Sequence, residues 1–287
     1  MTGKAFNKVL VANRGEIALR VIRSINDAGY RSVAVFSEAD KAAPHVDAAD
    51  EAVCIGPAPV GQSYLKIDSI LDAATRSGAD AIHPGYGFLS ENETFAQACA
   101  DAGIVFIGPS PQAIRLMGNK RVAKQHMVDA DVPCIPGYQG EDQSDDTLLA
   151  QAERIGFPLM IKAAAGGGGR GMRLVSAKAD VKDALVSARS EAQSAFGSGE
   201  LILEKAVLNG RHIEIQIAAD RSGQTVYLGE RDCSLQRRHQ KVFEEAPGPA
   251  ISAEERAAIG KTCADAVAKI NYIGAGTIEF LYENGEF

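Results

Sequence analysis

The sequence predicts an α/β protein, because short apolar runs alternate with amphipathic helical stretches from Phe6 to Gly108, and glycines and prolines mark the joints between them. Phe6–Ala12 is an apolar run that ends in the polar turn Asn13-Arg14-Gly15-Glu16. Ile17, Val21, Ile22, Ile25 and Ala28 then recur at helical spacing before Gly29. Arg31–Phe36 and Ala52–Gly56 have the composition of strands. Tyr64–Ser77 follows as a helix, Ala79–His83 as a strand, Glu93–Ala102 as a helix, and Ile104–Ile107 as a strand stopped by Gly108-Pro109. Such alternation implies a doubly wound, Rossmann-like parallel sheet covered on both faces. Asn13–Glu16 and His83–Asn92 fall where such sheets present ligand loops, although turn chemistry alone accounts for either, His83 included.

Composition narrows the function classes. With 46% hydrophobic and 23% charged residues the chain is ordinary globular protein rather than disordered, and 287 residues accommodate two domains. A formal charge of −7 disfavours a nucleic-acid partner and points to a small substrate. No apolar run reaches the length of a membrane span and no signal peptide precedes Val9–Ala12, so no membrane association is expected. Cys54, Cys99, Cys134, Cys233 and Cys263 are odd in number and lack Cys-x-x-Cys spacing. They fit reduced thiols in the cytoplasm, or in another reducing compartment such as the mitochondrial matrix.

Beyond Gly108 the pattern changes. Pro111–Asp129 is predicted as one helix carrying Lys120, Pro133–Gln143 as a connection at a boundary, and Asp145–Ile155 as a helix. The run Leu159–Val175 then holds Lys162, four consecutive glycines (Gly166, Gly167, Gly168, Gly169), Arg170 and Gly171 between two apolar segments. Consecutive glycines let backbone N–H groups converge on an anion, so a strand–loop–strand hairpin over a nucleotide's phosphates is expected; a bare surface hairpin is the plainer alternative. A Rossmann fingerprint would have to open a helix, and a Walker A loop needs Gly-Lys-Ser/Thr where Gly171-Met172 stands. Ala179–Phe196 is the next helix and Leu201–Val207 the next strand. His212–Ala218 alternates polar and apolar residues, which places His212, Glu214 and Gln216 on one face of a strand.

Thr225–Leu228 extends that sheet, and the segment Glu230–Lys241 is rich in charge. A solvated surface run is the ordinary meaning of such a segment, but Arg237, Arg238, His239 and Lys241 also suit an anion. Strand alternation would put Arg237, His239 and Lys241 on one side and Arg238 on the other. Ser252 and Glu255 form a capping-box pattern at the start of a helix running to Ile270. Thr277–Tyr282 and Glu286-Phe287 flank an Asn284-Gly285 turn. Because the chain stops at Phe287, no partner strand is expected for Thr277–Tyr282, and a module cut short at its C-terminus is inferred. Glu279 is the carboxylate assigned to Mg²⁺ (or Mn²⁺), with a second acid expected near it.

Taken together, Val9–Ala18, His83–Asn92, Lys162–Met172, Glu230–Lys241 and Gly276–Phe280 resemble the biotin carboxylase module of biotin-dependent, acyl-CoA type carboxylases, a group of ATP-grasp proteins. The resemblance covers the whole chain. It implies an N-terminal α/β domain over 1–115 and an ATP-grasp domain over 116–287, the latter with a small α+β lid at about 134–203. It also implies ATP-dependent carboxylation of biotin with bicarbonate, through carboxyphosphate. Lys120, Lys162 and the glycine loop would bind the ATP phosphates, while Glu204, Lys205 and Val207 frame the adenine. By the same resemblance His212 would lie by the ribose and His239 by the phosphates, with Gln236 also in the nucleotide site, and Lys241 would bind bicarbonate. His239 and Lys241 are the catalytic candidates. The implied partners are a biotin carboxyl carrier domain, a carboxyltransferase subunit and a second copy of the chain. The family's module runs on past position 287, so residues 1–287 alone are expected to be inactive. Pro136–Gln143 is similar to a linker in alpha subunits of methylcrotonoyl- and geranyl-CoA carboxylases. Another ATP-grasp carboxylate ligase, or a noncatalytic nucleotide-binding module, remains the alternative; a protein kinase is disfavoured, since Asp-Phe-Gly and His-Arg-Asp are lacking.

Overall fold

Val9, Leu10 and Val11 are wholly excluded from solvent, as a strand buried on both faces must be. In the computed structural model, which describes residues 6–165, 171–237 and 240–287, they form β1 (Lys8–Val11). Residues up to Arg115 make one compact unit and Leu116–Phe287 a second. The first contains α1 (Gly15–Asp27), β2 (Arg31–Ser37), the one-turn α2 (Pro44–Asp47), β3 (Glu51–Gly56), α3 (Ile67–Ser77), β4 (Ala81–His83), α4 (Glu93–Asp101) and β5 (Val105–Phe106). Its sheet is parallel, in the order β3-β2-β1-β4-β5. The two buried clusters, around Leu10, Ile70 and Phe95 on one side and Val9, Val21 and Ile22 on the other, are the alternate faces of β1.

The order reverses direction between β1 and β4, and the loops leaving those two strands are bound to each other. Asn13, 4% exposed, donates from Nδ2 to Pro84 O at 2.8 Å and Tyr86 O at 2.7 Å. Gly85 stands at φ +67°, and a Cβ there would come within 2.7 Å of Asn13 Nδ2, so only glycine allows the contact. His83 takes its turn role: its Nδ1 accepts from Gly85 N–H at 3.0 Å, and burial, then Arg20, hold its pKa below the ordinary histidine value.

The helix expected over Pro111–Asp129 is two helices, α5 (Pro111–Gly118) and α6 (Lys120–Asp129). Asn119 interrupts them because its side chain accepts from the N–H groups of Arg121 (2.9 Å) and Val122 (3.2 Å), an N-cap that starts a new helix. In the stretch expected to be a connection, Gly137–Tyr138 is a short strand, β6. It pairs with β9 (Leu201–Lys205) in an antiparallel sheet β6-β9-β7-β8, where β7 is Leu159–Ala163 and β8 is Arg173–Val175. Helices α7 (Asp145–Ile155) and α8 (Val181–Phe196) cover it over a core of Leu148, Leu159, Ile161, Leu185, Leu201 and Leu203.

A second antiparallel sheet has β10 (Arg211–Ala219) between β11 (Thr225–Asp232) and β14 (Gly274–Tyr282). Ile213, Ile215 and Ile217 of β10 meet Ile259, Cys263 and Val267 of α9 (Ala253–Lys269), whose Ser252–Glu255 capping box is formed at both bonds. Thr277–Tyr282 therefore does have a partner, contrary to expectation: β10, paired in register from Arg211↔Tyr282 to Ala219↔Gly274. The partners lie from 55 positions apart (Ala219 and Gly274) to 71 (Arg211 and Tyr282), too far for hairpin signals to reveal. Replacing Asn119 by Ala should cost about 1 kcal/mol by loss of the cap, read as a lower urea midpoint with an unchanged denaturant slope.

Candidate functional site

The polar face of β10 carries the first cluster. Glu214 is 3% exposed, and burial by itself would push its pKa up. The bonds it receives outweigh that cost and hold it below the ordinary glutamate value. Lys241 Nζ donates to Glu214 Oε2, and Arg231 Nε to Oε1 at 2.5 Å. Arg231, opposite Glu214 on β11, also reaches Gln216 Oε1 at 3.0 and 3.1 Å, so two of the alternating residues, Glu214 and Gln216, share one guanidinium along that face.

Glu279 lies directly across the β10–β14 ladder from Glu214. Its Oε1 accepts from Lys241 Nζ at 2.6 Å and stands 3.6 Å from His212 Nε2. The facing imidazole, working against burial and helped by Lys241, lowers its pKa to about 2. His212 is oriented from behind: Gln236 Nε2 lies 2.7 Å from its Nδ1 and 2.9 Å from Cys233 O, which aims Nε2 at Glu279. Burial opposes charge on Lys241, but the two carboxylates prevail and raise its pKa above the ordinary lysine value. The result is a permanent cation on a carboxylate bed.

Lys241 reaches this position from a hairpin, not from a continuous strand. Gln236 and Arg237 (β12) pair with Lys241 and Gln240 (β13). The expected alternation through residues 237–241 is thus overturned: a reversal within the segment makes Gln236 and Lys241 cross-strand neighbours. His239, like Gly166, Gly167, Gly168 and Gly169, lies outside the described residues.

A second cluster surrounds Glu204 on β9, 6% exposed. Lys124 Nζ donates to its Oε1 at 2.6 Å and to Ile135 O at 2.6 Å, and Lys162 Nζ donates to its Oε2. Burial raises the Glu204 pKa, yet Lys162 and Lys124 together bring it below the ordinary value. Lys205 is exposed and Val207 half-buried where β9 ends. Lys120 opens α6 beside the exit of β7, its N–H donating to Ala164 O at 2.9 Å, with Asn119 bridged to Ala165. At the other end of the glycine loop Gly171 stands at φ +70°, and a Cβ there would meet that of Ala163 at 3.0 Å. Lys162, Lys120 and Gly171 thus gather at the mouth of the hairpin.

Sequence reasoning missed Lys124, Arg231 and the pairing of Glu214 with Glu279. Lys124 stands one helical turn after Lys120, a spacing that brings both to one face of α6 and was a usable signal. Nothing local marks the other two. Among the described residues, His212, Glu214 and Glu279 offer ligand atoms within 4.8 Å of one another. Both Glu214 oxygens are bonded to cations, whereas Glu279 is half exposed and ionised, so the set suits a hard cation that takes one carboxylate here and completes its shell with substrate oxygens. The other such group includes Cys233, whose thiol burial pushes up to about 11, leaving it protonated and a poor ligand.

This arrangement, two antiparallel sheets with lysines and glycines at a hairpin mouth, is the ATP-grasp fold. Residues 119–287 match the family described as carbamoyl-phosphate synthase L chain, ATP binding domain, and residues 5–114 the one described as biotin carboxylase, N-terminal domain. The biotin carboxylase of Allochromatium vinosum is 54% identical over 281 residues, 98% of this chain and 63% of that protein. The mitochondrial methylcrotonoyl-CoA carboxylase subunit alpha of Dictyostelium discoideum is 52% identical over 97% of this chain and 40% of its own. Among solved structures, the Campylobacter jejuni biotin carboxylase–β,γ-ATP complex superposes with a TM-score of 0.95 at 48% identity, over 98% of this chain and 63% of that one. The biotin carboxylase domain of Hydrogenobacter thermophilus 2-oxoglutarate carboxylase, solved with MgADP, ADP and bicarbonate, gives 0.94 at 46%, over 98% and 62%. The chain belongs to the biotin carboxylase family, and it spans less than two thirds of the length of these relatives.

Because Glu214 and Glu204 titrate below the ordinary glutamate value of 4.5, the stability they contribute is complete above that pH and lost as pH falls below it. Glu214→Ala, which leaves Arg231 and Lys241 without their buried counter-charge, should cost about 3–5 kcal/mol at neutral pH. It should also flatten the fall in stability below pH 4.5, both measured by urea unfolding across pH.

Proposed function

We propose that this chain carries out nucleotide and bicarbonate binding in the ATP-dependent carboxylation of biotin, the first half-reaction of an acyl-CoA type carboxylase. In that reaction a bicarbonate oxygen takes the γ-phosphoryl group of ATP and ADP departs. The carboxyl group then passes to N1′ of biotin on a carrier domain, with release of phosphate, and a carboxyltransferase uses the product. The observation that carries the reading is Lys241. It is a cation held protonated and fixed in place by Glu214 and Glu279, beside an ionised carboxylate able to face a metal ion. A small anion needs such a charge, placed without reorganisation as bond-making begins.

Each side chain has a definite task in this scheme. Lys241 holds bicarbonate, Glu214, itself braced by Arg231, fixes the Lys241 ammonium, and the phosphate role is assigned to His239 by the family resemblance alone. Lys120, Lys162 and the loop Gly166–Gly171 take the triphosphate, with Glu204, Lys205 and Val207 at the base and His212 and Gln236 by the ribose. Glu279 would hold Mg²⁺, which when bound neutralises phosphate charge. The free thiols, Cys99 and Cys263 among them buried, suit the cytoplasm or another reducing compartment, and no helix among the described residues is long and apolar enough to cross a membrane.

Calorimetry on the chain should show ATP binding weakened ten- to a hundredfold by Lys162→Ala, the value of about 1.5–3 kcal/mol for a charge-assisted bond. For turnover, the chain extended by the C-terminal region of the A. vinosum relative should release ADP in a bicarbonate-dependent, biotin-stimulated manner. There Lys241→Gln should raise the bicarbonate requirement with ATP affinity kept. ATP cleavage indifferent to bicarbonate would sink the assignment.

A further inference from the structure

The proposed phosphate-binding role of Lys162 conflicts with where its ammonium sits. Lys162 is bonded to Glu204, a carboxylate 6% exposed, and to serve a triphosphate it must leave that partner. A buried carboxylate stripped of its only cation would carry an uncompensated charge, and the cost would be charged against nucleotide binding. Glu204, however, has a second cation. Lys124 is bonded to the other oxygen, Oε1 at 2.6 Å, its side chain is only 10% exposed, and Ile135 O at 2.6 Å anchors it from behind. Lys162 is the looser of the two, at 23% exposed.

We propose that Lys124 is a positioning residue for nucleotide binding: it keeps Glu204 paired and so frees Lys162 to pass from Glu204 to the phosphates. Lys124 touches no part of the nucleotide in this scheme. It rises from the middle of α6, while Lys162 lies on β7 within the hairpin, and Glu204 on the adjacent strand β9 joins them. The two oxygens of one buried carboxylate are thereby divided between a fixed cation and an exchangeable one. The inference rests on the assignment of Lys162 to the triphosphate, and the experiment separates the two.

The test is ATP affinity by calorimetry in a double-mutant cycle on the 287-residue chain, with thermal melting to verify folding. Lys124→Gln should raise the Kd for ATP about tenfold, the scale of coupling between charges in one network. Lys124→Arg, which keeps the cation, should stay within about threefold. In a Glu204→Gln background, where no charge is left stranded, Lys124→Gln should cost nothing further. A loss merely structural in origin would persist in that background and overturn the proposal, as would unchanged affinity in Lys124→Gln. If Lys162→Ala leaves ATP affinity unchanged, the phosphate assignment of Lys162 falls; if Lys162→Ala weakens binding and Lys124→Gln does not, only the present proposal falls. Independently of any variant, ¹⁵N-lysine NMR should show the Lys162 ammonium signal shifting on ATP addition while the hydrogen-bonded Lys124 signal persists; an unmoved Lys162 overturns the proposal.

Discussion

Two carboxylates taken out of water, Glu204 and Glu214, govern this structure. An ionised carboxyl in a protein interior is tolerated only when nearby cations and hydrogen bonds replace its lost hydration. Each of the two meets that demand with one cation per oxygen: Lys124 and Lys162 on Glu204, Arg231 and Lys241 on Glu214. The pairing works in both directions. The acids stay ionised although buried, and Lys124, Arg231 and Lys241 are held in place by partners that cannot move away, while Lys162 is the more exposed partner of Glu204. In the proposed reaction an anion approaching Lys241 meets a charge already positioned, whereas Lys162 has first to pass from Glu204.

The scaffold around these pairs is built to keep them rigid. Glu214 stands on the central strand of its sheet, with Arg231 supplied by one neighbouring strand and Glu279 by the other. Its flanking residues Ile213 and Ile215 point the opposite way, into the apolar layer against α9. Sliding β10 by one position would expose the isoleucines and bury the charges, so the same register that packs the core also assembles the site. Glu204 is fixed in a comparable manner by a strand lying between β6 and β7, over a leucine-rich core.

Much of this architecture was legible in the sequence, because its signals are local. Helical spacing from Ile17 to Ala28, the Ser252–Glu255 cap, the Asn284-Gly285 turn and the glycine hairpin each depend on a few neighbouring residues whose conformational preferences act wherever they stand. Alternation in His212–Ala218 correctly set His212, Glu214 and Gln216 on a polar face. Asn119 was the local signal passed over: an N-cap residue inside an apparently continuous helix.

What the sequence determined by itself was the order of elements and the kind of residue each presents to its surroundings. Tertiary structure alone decided that Thr277–Tyr282 pairs with β10, that Glu214 faces Glu279, that Gln236 and Lys241 are opposed across a reversal, and that Lys124 shares Glu204 with Lys162. Apart from Gln236 and Lys241, which a short hairpin brings together, those contacts join positions far apart in the chain. In the charge pairs among them, the attraction that offsets the cost of lost hydration becomes strong only once strands from separate regions have shut out water between the partners.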